Sequence, residues 1–366
     1  MVSKAPDSLR RTCMDLQEVV QRRIDELVET ELGLQVAVYR HGELLVDAVA
    51  GDGVTSETLY YAASTGKGAS ATVANVLVDR GVLDYDQPIV DLWPEFGAHG
   101  KDKATLRHVL THSVGLPALP PDATHESFPT IPAYLAAAEP WWEPGTKMTY
   151  HAETFGLLVG EIVRRATGRS ISDVLRELIT PLGIENDVFF ALPSDQRDRV
   201  MPLVEPEGVD ETFEMLAGMF SKVVPPSMQP RAAKLNRPEQ LAIEDPSSAI
   251  LTARGIARLY AGLIGEVDGV RILDAATLAD ATAEQAFGTD QVLLVPSRFA
   301  SGYMLPTEES PLGGPASFGH PGRGGSLGFG DPESGVAFGY VVSHIRQDLA
   351  DNRAGLLVQA VRACLT

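Results

Sequence analysis

The hydrophobic pattern along the chain changes period several times, and those changes mark its elements. Residues 8–31 place Met14, Val19, Val20, Ile24 and Leu27 on one face with charges between them, which predicts an amphipathic helix. Two β-branched runs follow, LQVAVY (34–39) and LLVDAVAG (44–51), and the RHGE turn between them predicts an antiparallel hairpin. The run STGKGASATVANVLVDR (64–80) reads as a helix stopped by Gly81. Residues 82–150 are Pro/Gly-rich loops between short helices. Further helices are expected at 154–167, with Gly168 as stop, and at 171–179, 252–264 and 275–285. Between them, 195–247 has weak periodicity broken by prolines, the signature of a lid or binding loop. Strands return with FASGYML, SLGFGD and, after a DPESG turn, VAFGYVVS, and a helix over 347–365 closes the chain.

Strands at both ends with helices between them imply an α+β fold. We expect an antiparallel sheet lobe from 1–62 and 248–366, flanked by the terminal helices. A mostly helical lobe, 63–247, is inserted into it, with 195–247 as its irregular loop.

Composition narrows the function classes. Lys plus Arg is 30 against 49 Asp plus Glu, a net charge of −19, which disfavours nucleic acid and anionic membrane as partners. No stretch approaches the 18 or so apolar residues of a spanning helix, and the N-terminal segment lacks the apolar core of a secretory signal, so a cytoplasmic protein is expected. Cys13 and Cys364, one near each end, read as free, buried thiols. There is no HExxH or CxxC spacing, so no metal and no cofactor is expected.

The candidate chemistry begins at Ser64-Thr65-Gly66-Lys67. Residues i and i+3 share a helix face, so the Lys67 amine reaches the Ser64 hydroxyl. A helix start also surrounds Ser64 with unpaired N–H groups. A serine hydroxyl needs a base to become a nucleophile. An amine serves only when neutral, a form that burial beside positive potential favours. Tyr150-His151-Ala152 precedes an apolar helix, and a phenol there could relay a proton. Near the C-terminus stands His320-Pro321-Gly322, in a glycine-rich run where backbone comes close to a ligand. The Arg323 N–H, paired with that of Ser64, would form an oxyanion hole.

These three segments resemble, in order, the S-x-x-K, Y-x-N and K-T-G motifs of serine β-lactamases and penicillin-binding proteins. Their spacing is similar to that of class C β-lactamases and of the family VIII carboxylesterases that share the fold. The connectors at 93–117, 141–163 and 252–263 look familial too, and the resemblance covers about residues 30–345. It implies Ser64 as acylated nucleophile, Lys67 as its base, Tyr150 as proton shuttle, and His320 in the place of the K-T-G lysine. Two departures matter. Ala152 replaces the asparagine that bonds a lactam's acylamide, and His320 replaces the lysine that attracts its carboxylate. A polar site missing such partners discriminates strongly. The expected substrate is therefore a small-molecule acyl ester. Acyl transfer from the same acyl-enzyme, β-lactam or D-amino-acid peptide cleavage, and a non-catalytic binding module remain as alternatives; oligomeric state is not legible.

Other features have two readings. Gly324-Gly325-Ser326-Leu327-Gly328 matches the G-x-S-x-G nucleophile elbow, but strands rather than a helix follow it, so Ser326 is expected to be structural. Met201, Met215, Met219 and Met228, with Phe213 and Phe220, either form an adaptable pocket wall or tuck the loop onto the core. Trp141 and Trp142 either line the entrance or pack the turn. His112 is expected to be structural, Glu143 and Glu153 structural or solvated, and His151 is left without a role.

Overall fold

The computed structural model describes residues 15–205, 218, 220–229, 231–292, 294–308, 310–346 and 352–365. The first helix, α1 (Leu16–Val28), starts where the Asp15 side chain accepts the Gln17 N–H. Residues 8–14, including Met14 and Cys13, lie outside the described residues, and Cys364, expected to be buried, is only half-buried near the C-terminus. The helix stops at Val28, short of the expected 31, because the chain turns through Thr30 into the first strand. Strands β1 (Gly33–Arg40) and β2 (Glu43–Gly51) pair antiparallel as predicted. His41 (φ 50°) and Gly42 (φ 83°) form their two-residue turn, the left-handed pair that a tight hairpin of this twist requires.

The remaining strands are short. β3 (Tyr60–Tyr61), β4 (Val188–Phe189) and β5 (Ile250–Leu251) form a small sheet in the order β3-β5-β4. Segment 63–247, expected to be mostly helical, thus also contributes a strand. β6 (Ala286–Thr289) and β7 (Pro296–Phe299) form a separate hairpin. Of the expected strand FASGYML only Phe299 is paired within β7. The chain reverses at Gly302, whose φ of 90° suits glycine, and Met304 then bridges to Phe299 and Gly319. β8 (Phe318–Pro321), β9 (Leu327–Asp331) and β10 (Val336–Val342) complete the main sheet, ordered β2-β1-β10-β9-β8. β8 is an edge strand, the position where its proline is tolerated.

Alternation decides which side of this sheet faces which helices. Leu34, Val36 and Val38 of β1 pack with Phe338 and Tyr340 of β10 against Val20 and Ile24 of α1 and Leu357, Val358 and Val361 of the C-terminal helix Arg353–Leu365. Ala37 and Tyr39 point the other way, into the large core shared with the helix Ala253–Ile264. That core continues into α2 (Lys67–Asp79), buried along almost its whole length, and into the helices Thr154–Thr167 and Ile171–Ile179, which match the expected bounds. Gly168 ends the former in the left-handed conformation. The helix expected at 275–285 ends at Thr282, because the chain must extend to enter β6. The expected loop 195–247 is irregular where described, with short helices Ala232–Leu235 and Pro238–Leu241. No helix among the described residues is long and apolar enough to cross a membrane.

The terminal helices are tied to the sheet by one buried charge cluster. The Glu31 side chain is fully buried; it accepts from Arg353 Nη1 at 2.5 Å and from the His344 N–H at 3.2 Å. Arg353 Nη2 donates to the Gly324 carbonyl at 2.8 Å, so the cluster also holds the loop after β8. Removing one partner of a buried pair costs far more than the pair contributes. Glu31→Ala should lower the unfolding free energy by about 3–5 kcal/mol in urea titration; a loss below about 1 kcal/mol would show that the cluster is dispensable.

Candidate active site

Ser64 does not begin the α-helix, as the sequence suggested. It lies in the 3-10 turn Ala63–Gly66 that feeds α2, whose first residue is Lys67. Ala63 is held at φ 46°, a conformation that costs a non-glycine residue about 1–3 kcal/mol and persists where the surroundings enforce it. The effect is a sharp corner between β3 and α2 with Ser64 at its outside. Gly66 is required at this corner: a Cβ there would lie 2.3 Å from the Ser248 carbonyl carbon.

Lys67 is fully buried, and its Nζ donates to Ser64 Oγ at 3.1 Å and to the Ser247 carbonyl at 2.8 Å. The same Nζ lies 5.1 Å from the centre of the Tyr150 ring. Ser247 was not anticipated. It ends the irregular segment, with its N–H bonded to Asp245 Oδ1 at 3.0 Å and its Oγ accepting the Gly156 N–H at 3.0 Å. Nothing local in EDPSSAI signals that its carbonyl meets a lysine 180 residues away.

Tyr150 is mounted from several sides. Its own N–H donates to Asp290 Oδ2 at 2.6 Å, the His151 N–H donates to His112 Nδ1 at 3.0 Å, and the Thr149 N–H reaches the His112 carbonyl at 3.2 Å. The two histidines are therefore structural, and their tautomers follow from their partners. His112 accepts at Nδ1. His151 accepts the Leu116 N–H at Nε2, so its Nδ1 carries the proton donated to the Thr149 carbonyl at 2.7 Å. The phenol hydroxyl is buried and has no hydrogen-bond partner. The imidazole of His320 lies 5.7 Å from the phenol ring, centre to centre.

His320 is buried on β8. Its Nδ1 lies 2.6 Å from the Pro321 carbonyl, which places the proton there and leaves Nε2 without a partner. Burial, reinforced by the charge of Lys67, pushes its pKa down to about 3. The side chain in the place of the family's lysine is thus neutral. Ala152 is buried and offers no hydrogen-bonding group. Gly322 sits where a Cβ would meet Ser326 Oγ at 2.1 Å and the Ala62 carbonyl oxygen at 2.3 Å. Arg323 follows in the turn closed by the Gly325 N–H to the Gly322 carbonyl. The structure therefore brings Ser64, Lys67, Tyr150 and His320 together. Ser326 is a brace: its Oγ donates to the Ala62 carbonyl at 2.7 Å and shares a proton contact of 2.9 Å with Thr65 Oγ1, and β9 follows it.

Glu153, expected to be structural or solvated, is half-buried, and its carbonyl accepts the Ser247 hydroxyl. Burial first, then the Asp245 charge, pushes its carboxyl up to about 7, with Lys67 and Arg323 opposing. The Trp142 indole donates to the Ser113 carbonyl at 3.1 Å, as the turn-packing reading requires, while Trp141 is exposed. Met228 is buried and Met201 and Phe220 pack partly against the core; Met215, Met219 and Phe213 lie outside the described residues.

Four buried histidines set the acid limit of stability. Burial pushes His125 and His151 down to about 4 and His320 to about 3, and holds His112 well below its ordinary 6.5. The unfolded chain takes up these protons first, so stability is present above about pH 6.5 and is lost as pH falls toward 4, by about 1.4 kcal/mol per unit for each histidine. Glu153 works in the opposite sense between about 7 and its ordinary 4.5, as does the buried Asp245 carboxyl, which burial also raises, and the two offset part of this loss. Urea titrations should give an unfolding free energy at least about 2 kcal/mol lower at pH 5 than at pH 7.5; equal values would contradict the neutral assignment.

Known proteins resemble this chain in sequence and in fold. The beta-lactamase family profile matches residues 20–360. The chain is 34% identical over 341 residues to the esterase/beta-lactamase LipL of Mycobacterium tuberculosis, covering 87% of this chain and 78% of that protein. Among solved structures it is similar to EstA of Arthrobacter nitroguajacolicus, with a TM-score of 0.86 and 28% identity over 95% of this chain and 96% of that one. It is also similar to a family VIII carboxylesterase, with a TM-score of 0.82 and 31% identity over 96% and 98% of the two chains. The chain belongs to the beta-lactamase family.

Proposed function

We propose that the protein is a serine carboxylesterase that cleaves a small or medium acyl ester through an acyl-enzyme on Ser64. The observation that carries this reading is the contact of the buried Lys67 Nζ with Ser64 Oγ at 3.1 Å, beside a phenol whose hydroxyl has no protein partner. Lys67 takes the hydroxyl proton as Oγ bonds to the ester carbonyl carbon. Tyr150 gives a proton to the departing alkoxide as the acyl C–O bond breaks. Water then enters and yields a proton to the same pair as its oxygen bonds to the acyl carbon; the C–Oγ bond breaks and Ser64 Oγ recovers its proton from Lys67. Ester and water become acid and alcohol. The N–H groups of Ser64 and Arg323 are assigned to the oxyanion.

Neutral ester recognition follows from what the pocket lacks. A buried neutral His320 supplies no cation for a substrate carboxylate, and Ala152 supplies no amide for an acylamide side chain. Relatives named as esterases in whole or in part support the same choice.

Labelling with a fluorophosphonate probe tests the nucleophile. Ser64→Ala should abolish labelling and Ser326→Ala should keep it; equal labelling of the Ser64→Ala protein would overturn the assignment. Lys67→Ala and Tyr150→Phe should each lower kcat on an ethyl ester at least about 10²-fold, and a variant with near-normal turnover removes that residue from the mechanism. Turnover sharply accelerated by an added alcohol would mark acyl transfer instead. The double change Ala152→Asn with His320→Lys should raise nitrocefin hydrolysis; unchanged turnover would place lactam exclusion elsewhere in the pocket.

A further inference from the structure

Asp290 stands 140 residues beyond Tyr150 in sequence, immediately after β6, and has no exposed surface. Its two carboxylate oxygens are divided between the residues they hold. Oδ2 accepts the Tyr150 N–H at 2.6 Å. Oδ1 accepts the Thr149 hydroxyl at 2.6 Å and the Val292 N–H at 2.8 Å. The Val292 N–H also reaches Thr149 Oγ1 at 3.1 Å, and the Gln291 N–H reaches the Met148 carbonyl at 3.3 Å. Residues 148–150 are therefore laced to the β6–β7 hairpin. The hairpin is itself closed by Asp290 N–H to the Val295 carbonyl and Leu294 N–H to the Asp290 carbonyl, both at 3.0 Å.

A buried carboxylate is costly unless its lone pairs are met by donors, and the Thr149-Tyr150 dipeptide supplies two of the donors here. At the far end of the Tyr150 side chain no comparable hydrogen bond exists: the hydroxyl has no protein partner, and its ring packs against the core beside the imidazoles of His112 and His320 and the Lys67 amine. The phenol is thus aimed from its backbone end. A displacement of a catalytic group by about 1 Å is enough to cost about 10²-fold in rate.

We propose that Asp290 is a positioning residue that sets the phenol of Tyr150 at the distance needed for proton transfer to the leaving alcohol. The inference rests on the assignment of Tyr150 as the acid of the proposed esterase reaction. In Asp290→Asn the shape is kept, but one oxygen becomes an NH2 group facing either the Tyr150 N–H or the Val292 N–H, donor against donor, and the backbone on that side must shift.

Leaving-group dependence separates this role from a structural one. Protonation matters for an ethoxide leaving group and little for a p-nitrophenoxide, so a misplaced acid injures alkyl esters selectively. The experiment compares kcat/KM for the ethyl and p-nitrophenyl esters of one acid in wild type, Asp290→Asn and Tyr150→Phe, with thermal melting of each. Asp290→Asn should lose at least about tenfold more on the ethyl than on the p-nitrophenyl ester, in parallel with a larger bias in Tyr150→Phe. Thr149→Val, which removes one donor and leaves the Tyr150 N–H bond, serves if Asp290→Asn fails to fold, and should show the same bias at smaller size. An equal loss on both esters in the Asp290 or Thr149 variant, or none, while Tyr150→Phe is biased, overturns the positioning role. No bias in Tyr150→Phe itself overturns the assignment of Tyr150 as acid, and the inference with it.

Discussion

A lysine with no exposed surface has to spend its hydrogen-bonding capacity inside the protein, and in this molecule that requirement organises the site. The Lys67 amine reaches one oxygen on its own turn, Ser64 Oγ, and one from a segment 180 residues away, the Ser247 carbonyl. For the second contact to form, α2 must lie against the backbone of residues 246–248. That demands glycine at position 66, where any side chain would strike Ser248, and at 156, where a Cβ would lie 2.1 Å from the Ser247 nitrogen. The buried amine, the two close approaches and the corner at Ala63 are one constraint seen from four places. The all-round burial of α2 is its consequence, because a helix that carries the amine into the centre of the protein has no side left for solvent.

Around that amine the remaining groups are kept uncharged or braced. The imidazole at position 320 is neutral, so it offers no cation to a ligand. The histidines at 112 and 151 serve as hydrogen-bonding frame for the Thr149–His151 backbone, with tautomers fixed by neighbouring carbonyl and N–H groups. The loop after β8 is held from behind by Arg353 through the Gly324 carbonyl, which links the C-terminal helix to the rim of the site.

Much of this was legible in the amino-acid pattern, and the divide follows the range of the interactions. The first hairpin, the helices at 154–167 and 171–179, and the approach of Lys67 to Ser64 depend on residues within a few positions of one another, where periodicity and turn chemistry operate. The corner at Ser64 was misread as regular helix, since a 3-10 turn enforced by tertiary contacts has no composition of its own. β8 was missed because four residues containing glycine and proline make a strand only by lying beside β9. Ser247 and Asp290 were invisible for the same reason: a carbonyl and a carboxylate become site components through partners that fold from far along the chain. The G-x-S-x-G run shows the converse. Its local match was good, yet Ser326 is committed to Ala62 and Thr65, and a strand rather than a helix follows.

The central claim is that an acyl group passes through the oxygen of Ser64. The most direct measurement is the intact mass of the protein after brief incubation with a panel of simple esters, followed by peptide mapping of any adduct. The account predicts an added mass equal to the acyl group on the peptide containing Ser64. An adduct on the peptide containing Ser326, or ester turnover with label never found at residue 64, would contradict it.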